Sequence, residues 1–496
     1  MSGIINNLFN NVNKALVYLL LLGLVLVIVY LNTRMGFLFG GVFSMLPLMF
    51  LVFLVVVSNP NIGVILVFTG NYFISGLSRY VQGIAPGISM DMLLVVVMVA
   101  VLFSSFNKKS DVKMSNSFNG LTLVALIWVF YCVFEIFNPY SSTIVAWLTS
   151  VRGMGIYFFI IVFLVAIVVR KYKDFKRMLF IWAIFSLIAV LKAVLQKTIG
   201  FDFAESRWLF TEGAASTHII YSGTRYFSIF TDAGNFGTGI AFSGVVFGIS
   251  ALYFKETKMK VFYMFTALAC MYGMLLSGTR GSLALPFVAL TIYAIVSKRF
   301  VPLIVTTMIV VTAFVFLRFT YYGQGNSYIR RMRSFFNTDD ASYVVRVVNQ
   351  LKIGAYLANK PIGVGLGMSR GEIRTYRTDP ILSKIPADSW YVLVWMETGI
   401  IGLTLHAFIL LYIIFHGGYL VFFKLKNHQL KGLMAALLCG IAGLYVSSYS
   451  IEIIGQFPFG PILYFSMAFL FMSPVYEKEI DEHKLLYPEL YKDDES

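Results

Sequence analysis

Long apolar runs recur along the chain, separated by shorter polar connections. A helix needs about 20 mostly apolar residues to cross a bilayer. By that measure the pattern predicts fourteen spans, near 15–31, 37–57, 62–78, 88–106, 119–137, 152–170, 179–196, 236–254, 261–277, 281–297, 301–318, 390–415, 432–449 and 457–475. The spans at 62–78 and 457–475 are short enough for a re-entrant segment to be the alternative. The expected fold is an all-α polytopic membrane protein with about 12–14 transmembrane helices. The first apolar run, Ala15 to Tyr30, lacks a small-x-small cleavage site and reads as a retained helix rather than a removable signal.

Composition agrees with this reading. The 496 residues are 58% apolar and only 13% charged, too few charges for a solvated surface. The net charge of +15 sits in the connections, which suits anionic headgroups and phosphates and makes nucleic acid a poor fit. Basic clusters fall at Lys108, Lys109 and Lys113, at Arg170 to Arg177, at Lys255 to Lys260, at Lys298 and Arg299, and at Lys424, Lys426 and Lys431. An even number of spans separates each from the others, so all five can be cytoplasmic together, with both termini. The organisation expected is a membrane domain over 1–476 and an acidic cytoplasmic tail over 477–496, read as a solvated end. Cys132, Cys270 and Cys439 lie in apolar segments without Cys-x-x-Cys spacing, which argues against disulfides and thiolate metal sites.

The same topology puts two long connections outside, about 197–235 and 319–388, the second with a helix-like run from Ser342 to Ala358. That second, helical periplasmic loop holds Arg330, Arg331, Arg333, Arg346, Arg370, Arg374 and Arg377. The positive-inside rule disfavours such residues there, so the cluster points to an anionic, phosphorylated and lipid-linked substrate. Arg152, Arg225, Arg280 and Arg346 stand out among the outer arginines. Arg280 is the sharpest, because Ser277-Gly278-Thr279 and Gly281-Ser282 leave room around a guanidinium whose fork suits phosphate. A lone arginine at such a position more often snorkels to the interface.

Asp388, in Pro386-Ala387-Asp388-Ser389-Trp390-Tyr391, stands at the mouth of the twelfth span. It is placed to take a proton from a sugar hydroxyl, or to cap the helix; the two roles are compatible. Glu397, deeper in that span, is expected to hold the helix in place. Trp390, Tyr391, His218, Glu135 and Asp202 are candidates for acceptor binding, Glu135 and Asp202 lying near outer span ends. Gly363, Gly365 and Gly367 suit a tight turn or a close backbone approach to a ligand, and no P-loop lysine follows. No histidine cluster has metal-ligand spacing. Asp339-Asp340 reads as a solvated acidic pair, and neither metal nor cofactor is expected.

Taken in order, Ser277 to Ser282, Asn359 to Gly367 and Ala387 to Leu403 resemble the O-antigen ligase and polymerase superfamily over roughly 190–415. The resemblance implies a metal-independent, inverting GT-C-type glycosyltransferase on the outer face of the bacterial inner membrane, acting on a glycan carried by undecaprenyl diphosphate. The other implied partners are a glycan or lipid-linked acceptor, membrane lipids and a chain-length regulator. Arg225 and Arg280 match the family's diphosphate-binding arginines, and Arg346 matches an arginine at the start of the loop helix; all three, with Arg152, are expected to bind the diphosphate. Asp388 stands where ligases carry the histidine that activates the acceptor. That departure favours a polymerase over a ligase that transfers to lipid A-core. The rival of another class is a flippase or transporter of lipid-linked oligosaccharide, which should carry ionisable groups at the bilayer midplane between repeated halves. No such halves are visible here.

Overall fold

The structure, a computed structural model, describes residues 47–81, 86–107, 110–141, 143–220, 223–297, 300–334, 341–370 and 378–486, together with Gly23. The expected span at 15–31, apart from Gly23, and the first half of that at 37–57 fall outside these residues, as do Arg374, Arg377, Asp339 and Asp340. Each of the other twelve expected spans coincides with an apolar helix. Among the described residues ten helices are long and apolar enough to cross a membrane, and the chain is an all-α polytopic membrane protein. Those ten are α2 (Pro60–Tyr80), α3 (Pro86–Ser105), α4 (Gly120–Phe134, extended to Phe137), α5 (Ile144–Val168), α6 (Tyr172–Thr198), α9 (Ala233–Ala251), α10 (Thr257–Leu276), α15 (Trp390–Tyr419), α16 (His428–Ser447) and α17 (Phe459–Leu486). Shorter apolar helices are α1 (Pro47–Ser58), α11 (Ala284–Val296) and α12 (Leu303–Phe319). The two spans short enough to be re-entrant are both full helices, α2 of 21 residues and α17 of 28.

Local chemistry marks the helix starts. Side chains of Asn119, Thr143, Asp232 and Asn427 accept backbone N–H groups at the beginnings of α4, α5, α9 and α16. Helices α9, α16 and α17 are buried along most of their length and form the centre of the bundle. Lipid offers little hydrophobic force between helices, so close packing of small residues takes its place. The hydroxyls this introduces bond back to their own helices, as Ser243 does to Gly239 and Ser466 to Ile462.

The bundle has two chemically distinct ends. At one, two of the basic connections meet α17: Asp111, Lys113, Arg170, Lys171, Lys478 and Glu479 line a shared cleft, and the rings of Tyr253 and His428 lie 5.1 Å apart at a tilt. Helix α17 continues past residue 477, where the sequence reading begins the tail. Glu477 is buried there, its carboxylate accepting the backbone N–H groups of Lys426 (3.1 Å) and Asn427 (2.8 Å). Residues 487–496 lie outside the described part.

The other end carries the long connections. The first contains α7 (Phe203–Phe210), α8 (Ala215–His218) and a two-residue antiparallel pair, Ile219–Ile220 with Gly223–Thr224. Arg79 of α2 clamps it, donating to the Ser228 and Phe230 carbonyls and lying over the rings of Trp208 and Phe227. The second contains α13 (Ser327–Arg333) and α14 (Ala341–Leu357). The glycine-rich turn that follows is strapped to a break in α15 at Gly399. Val364 and Gly365 donate to the Met396 and Glu397 carbonyls, both at 3.0 Å, and Ile401 donates to Pro361 at 3.2 Å. Gly363 and Gly399 have φ of 74° and 65°, and a Cβ on Gly399 would meet the Pro361 oxygen at 2.0 Å. Only glycine fits these positions. The close backbone approach expected of this motif is thus made to α15.

Candidate active site at the loop end of the bundle

A cavity of about 1370 Å3 opens among the long connections. Its cationic wall is Arg225, Arg280, Arg331, Arg346, Arg370 and Lys384, and its acidic groups are Asp232, Asp388 and Glu452. Residues scattered over more than 200 positions of sequence therefore share one space, with positive charge in excess.

Each arginine reaches the cavity by a different route. Arg225 leaves the short strand pair, its guanidinium donating to the Thr217 carbonyl and Thr279 Oγ1, both at 3.0 Å. Burial and the neighbouring Arg280 hold it below its ordinary value, against the pull of Asp232, yet an arginine so placed stays charged. Arg280 opens the short 3-10 turn Arg280–Leu283 ahead of α11 and donates to Ser334 Oγ at 2.9 Å. Arg331 runs beside Gly278, whose φ of 57° lets the hairpin turn under both Arg331 and Arg225. Arg346, on α14, donates to the Ser450 carbonyl at 3.3 Å.

Asp388 has a left-handed backbone, φ 50°, which costs an ordinary residue free energy and is tolerated best by Asp and Asn. Ser389, not Asp388, occupies the N-cap of α15, and no side chain caps that helix. The Asp388 carboxylate is exposed in the cavity and makes no hydrogen bond or ion pair with the described residues. Strain of this kind gathers at functional sites.

The remaining sequence candidates lie elsewhere. Arg152 pairs with Asp91 of α3 at 2.5 Å and does not line the cavity. His218 is buried between Trp208 and Phe227; its Nε2 accepts from the Ala233 N–H, which places its proton on Nδ1, facing the Ala214 carbonyl. Burial lowers its pKa. Trp390 donates to His406 Nε2 at 2.9 Å and Tyr391 to the Tyr445 carbonyl at 2.6 Å. Glu135 accepts from Asn138 at 2.7 Å, Asp202 caps α7 and binds Lys192, and Glu397 accepts from Ser369 at 2.8 Å. All these side chains tie elements together, and none of them lines the cavity.

Two acidic groups in the cavity were missed by the sequence reading. Asp232 caps α9, its Oδ1 accepting from the Asn235 N–H at 2.9 Å. Glu452 lies in the connection between α16 and α17, which the rest of the site grips from several sides. Trp390 N–H donates to the Ser448 carbonyl, Ser447 Oγ to Gly281, and Asn235 to Phe457. Burial pushes the Glu452 carboxyl up to about 7; Arg370 opposes that, while Glu397, Asp388 and Asp232 add to it. A signal was available: Glu452 is a single acid in the otherwise uncharged stretch from Ser447 to Gly460.

No curated protein and no solved structure gives a significant match to the chain. The family model described as O-Antigen ligase matches residues 264–407, from α10 through the Arg280 turn and the arginine-bearing helices to α15, within the stretch that resembles the O-antigen ligase and polymerase superfamily.

Proposed function

We propose that the protein transfers a glycan from a polyprenyl (undecaprenyl) diphosphate to an acceptor sugar on the outer face of the inner membrane, extending a surface polysaccharide. The observation that carries this reading is the single cavity in which Arg225, Arg280 and Arg346 face Asp388. Displacing a diphosphate from an anomeric carbon develops negative charge on the leaving oxygens. Arginines fixed where that charge appears stabilise it without having to reorganise. The acceptor hydroxyl attacks the opposite face of the carbon, which inverts it. The hydroxyl then gives up its proton to a carboxylate of the cavity, for which Asp388 at the rim is one candidate. At about 1370 Å3 the cavity exceeds the roughly 300–1,000 Å3 of a single small-ligand pocket, which suits two glycans meeting. Because Asp388 replaces the histidine of ligases, the reading favours a polymerase.

The test is a reconstituted assay with purified protein and a polyprenyl-diphosphate oligosaccharide, with and without EDTA, resolved as a ladder. A ladder from this donor alone, unchanged by EDTA, is the expected result. A single transfer that requires lipid A-core would make the protein a ligase, and no transfer to either acceptor would overturn the reading.

A further inference from the structure

Glu452 combines features that no other acid of the cavity shares. Asp232 is committed to capping α9, and Asp388 lies exposed at the rim. Glu452 is half-buried, lines the cavity, and makes no hydrogen bond or ion pair with the described residues. Its backbone neighbours fix its position: Ser450 receives Arg346, and a Cβ on Gly281 would touch Ser450 Oγ at 2.1 Å. Glu452 is therefore held beside the arginine turn by structure on both sides, yet its own carboxylate is unspent. The charges that act on it are Arg370, Asp388 and Asp232 of the cavity lining and Glu397 from outside it. Arg225, Arg280, Arg331, Arg346 and Lys384 complete the charged lining.

We propose that Glu452, rather than Asp388, takes the acceptor's proton. The proposal rests on the transfer reading above. In the step, the acceptor oxygen forms a bond to the anomeric carbon as the bond from that carbon to the diphosphate oxygen breaks. The electron pair leaves on the diphosphate, and the hydroxyl proton passes to Glu452. Two carboxylates in one site with different surroundings take different roles: the less solvated one exchanges protons near neutrality, and the exposed one is left to orient the sugar. A base works best when its pKa lies near the working pH, and burial brings Glu452 to about 7.

The test uses the full-length protein in lipid nanodiscs with the lipid-linked glycan extracted from the producing cells. Initial rates are followed across the neutral range for wild type, Glu452→Gln, Glu452→Asp, Asp388→Asn and Arg280→Ala. The wild-type rate should fall with one proton as pH drops through about 7. Glu452→Gln should lose about 100-fold or more in rate while keeping its melting temperature and donor affinity. Glu452→Asp should keep activity with a displaced acid limb, which covers the case of a Gln variant that misfolds. An unchanged acid limb in both Glu452 variants, or its loss in Asp388→Asn alone, would overturn the proposal. Normal transfer by Arg280→Ala would instead defeat the underlying transfer reading.

Discussion

Gly281 offers a direct test of whether the Arg280 turn and the Glu452 connection act as one unit. An alanine Cβ there would come to 2.1 Å from Ser450 Oγ and 3.0 Å from Ser450 Cβ, where ordinary contact begins near 3.4 Å. Rotating the hydroxyl relieves only the first clash, and it breaks the bond from Ser450 Oγ to the Ser447 carbonyl (3.0 Å). Where the hydroxyl keeps that bond the connection must withdraw by roughly 1 Å, and a displacement of that size in a catalytic site costs on the order of 100-fold in rate. Overpacking of this kind costs about 1–3 kcal/mol in stability. Gly281→Ala should therefore lower transfer far more than it lowers the melting temperature. Adding Ser450→Gly removes both contacting atoms and should restore most of the rate, a coupling that a double-mutant cycle reads directly. Measurements would combine ladder formation in nanodiscs with thermal unfolding of all four proteins. Wild-type rates in Gly281→Ala, or a double variant no better than the single one, would refute the coupling.

Arg280→Lys keeps the charge but loses the planar fork, and Arg280→Ala loses both; the transfer rate should fall in that order, by about 100- to 1,000-fold for Ala, with expression unchanged. Equal rates for both variants and wild type would remove Arg280 from the mechanism. Gly399→Ala would place a Cβ 2.0 Å from the Pro361 oxygen at a φ of 65°, so it should unfasten the glycine turn from α15 and lower the melting temperature by several degrees. An unshifted melt would contradict that account. His218 is neutral in the fold, whereas the unfolded chain takes up its proton below about pH 6.5. Its contribution to stability is therefore present above that pH and is lost as pH falls. Melting temperature should decline with acid less steeply in His218→Gln than in wild type, and parallel declines would count against it. Glu477→Ala leaves the Lys426 and Asn427 N–H groups unpaired at the far end of the bundle. It should cost about 1 kcal/mol or more in stability and leave the KM for the donor unchanged.

The span pattern was legible because lipid leaves a chain few options. Every backbone group must be satisfied within its own segment, so a run of about 20 apolar residues becomes a helix wherever the rest of the chain lies. The basic clusters at Lys113 and Arg170 likewise share one cleft, as an even number of spans between them requires. Arg225, Arg280, Arg346 and Asp388 were identified from local motif and charge, and the tertiary structure brings all four to one cavity. Arg152 looks equivalent in the sequence, yet Asp91, 61 positions away, neutralises it. His218, Trp390 and Tyr391 likewise have partners that only folding supplies. Glu452 shows the converse. Its isolation in an uncharged stretch marks it, but it reads as an interfacial acid until Ser447 is tied to Gly281 and Ser450 to Arg346. Helix formation is a short-range consequence of hydrophobicity and backbone hydrogen bonding, so the sequence alone determined it. Which charges are spent on one another and which stay free depends on contacts between distant segments, and only the tertiary structure decided that.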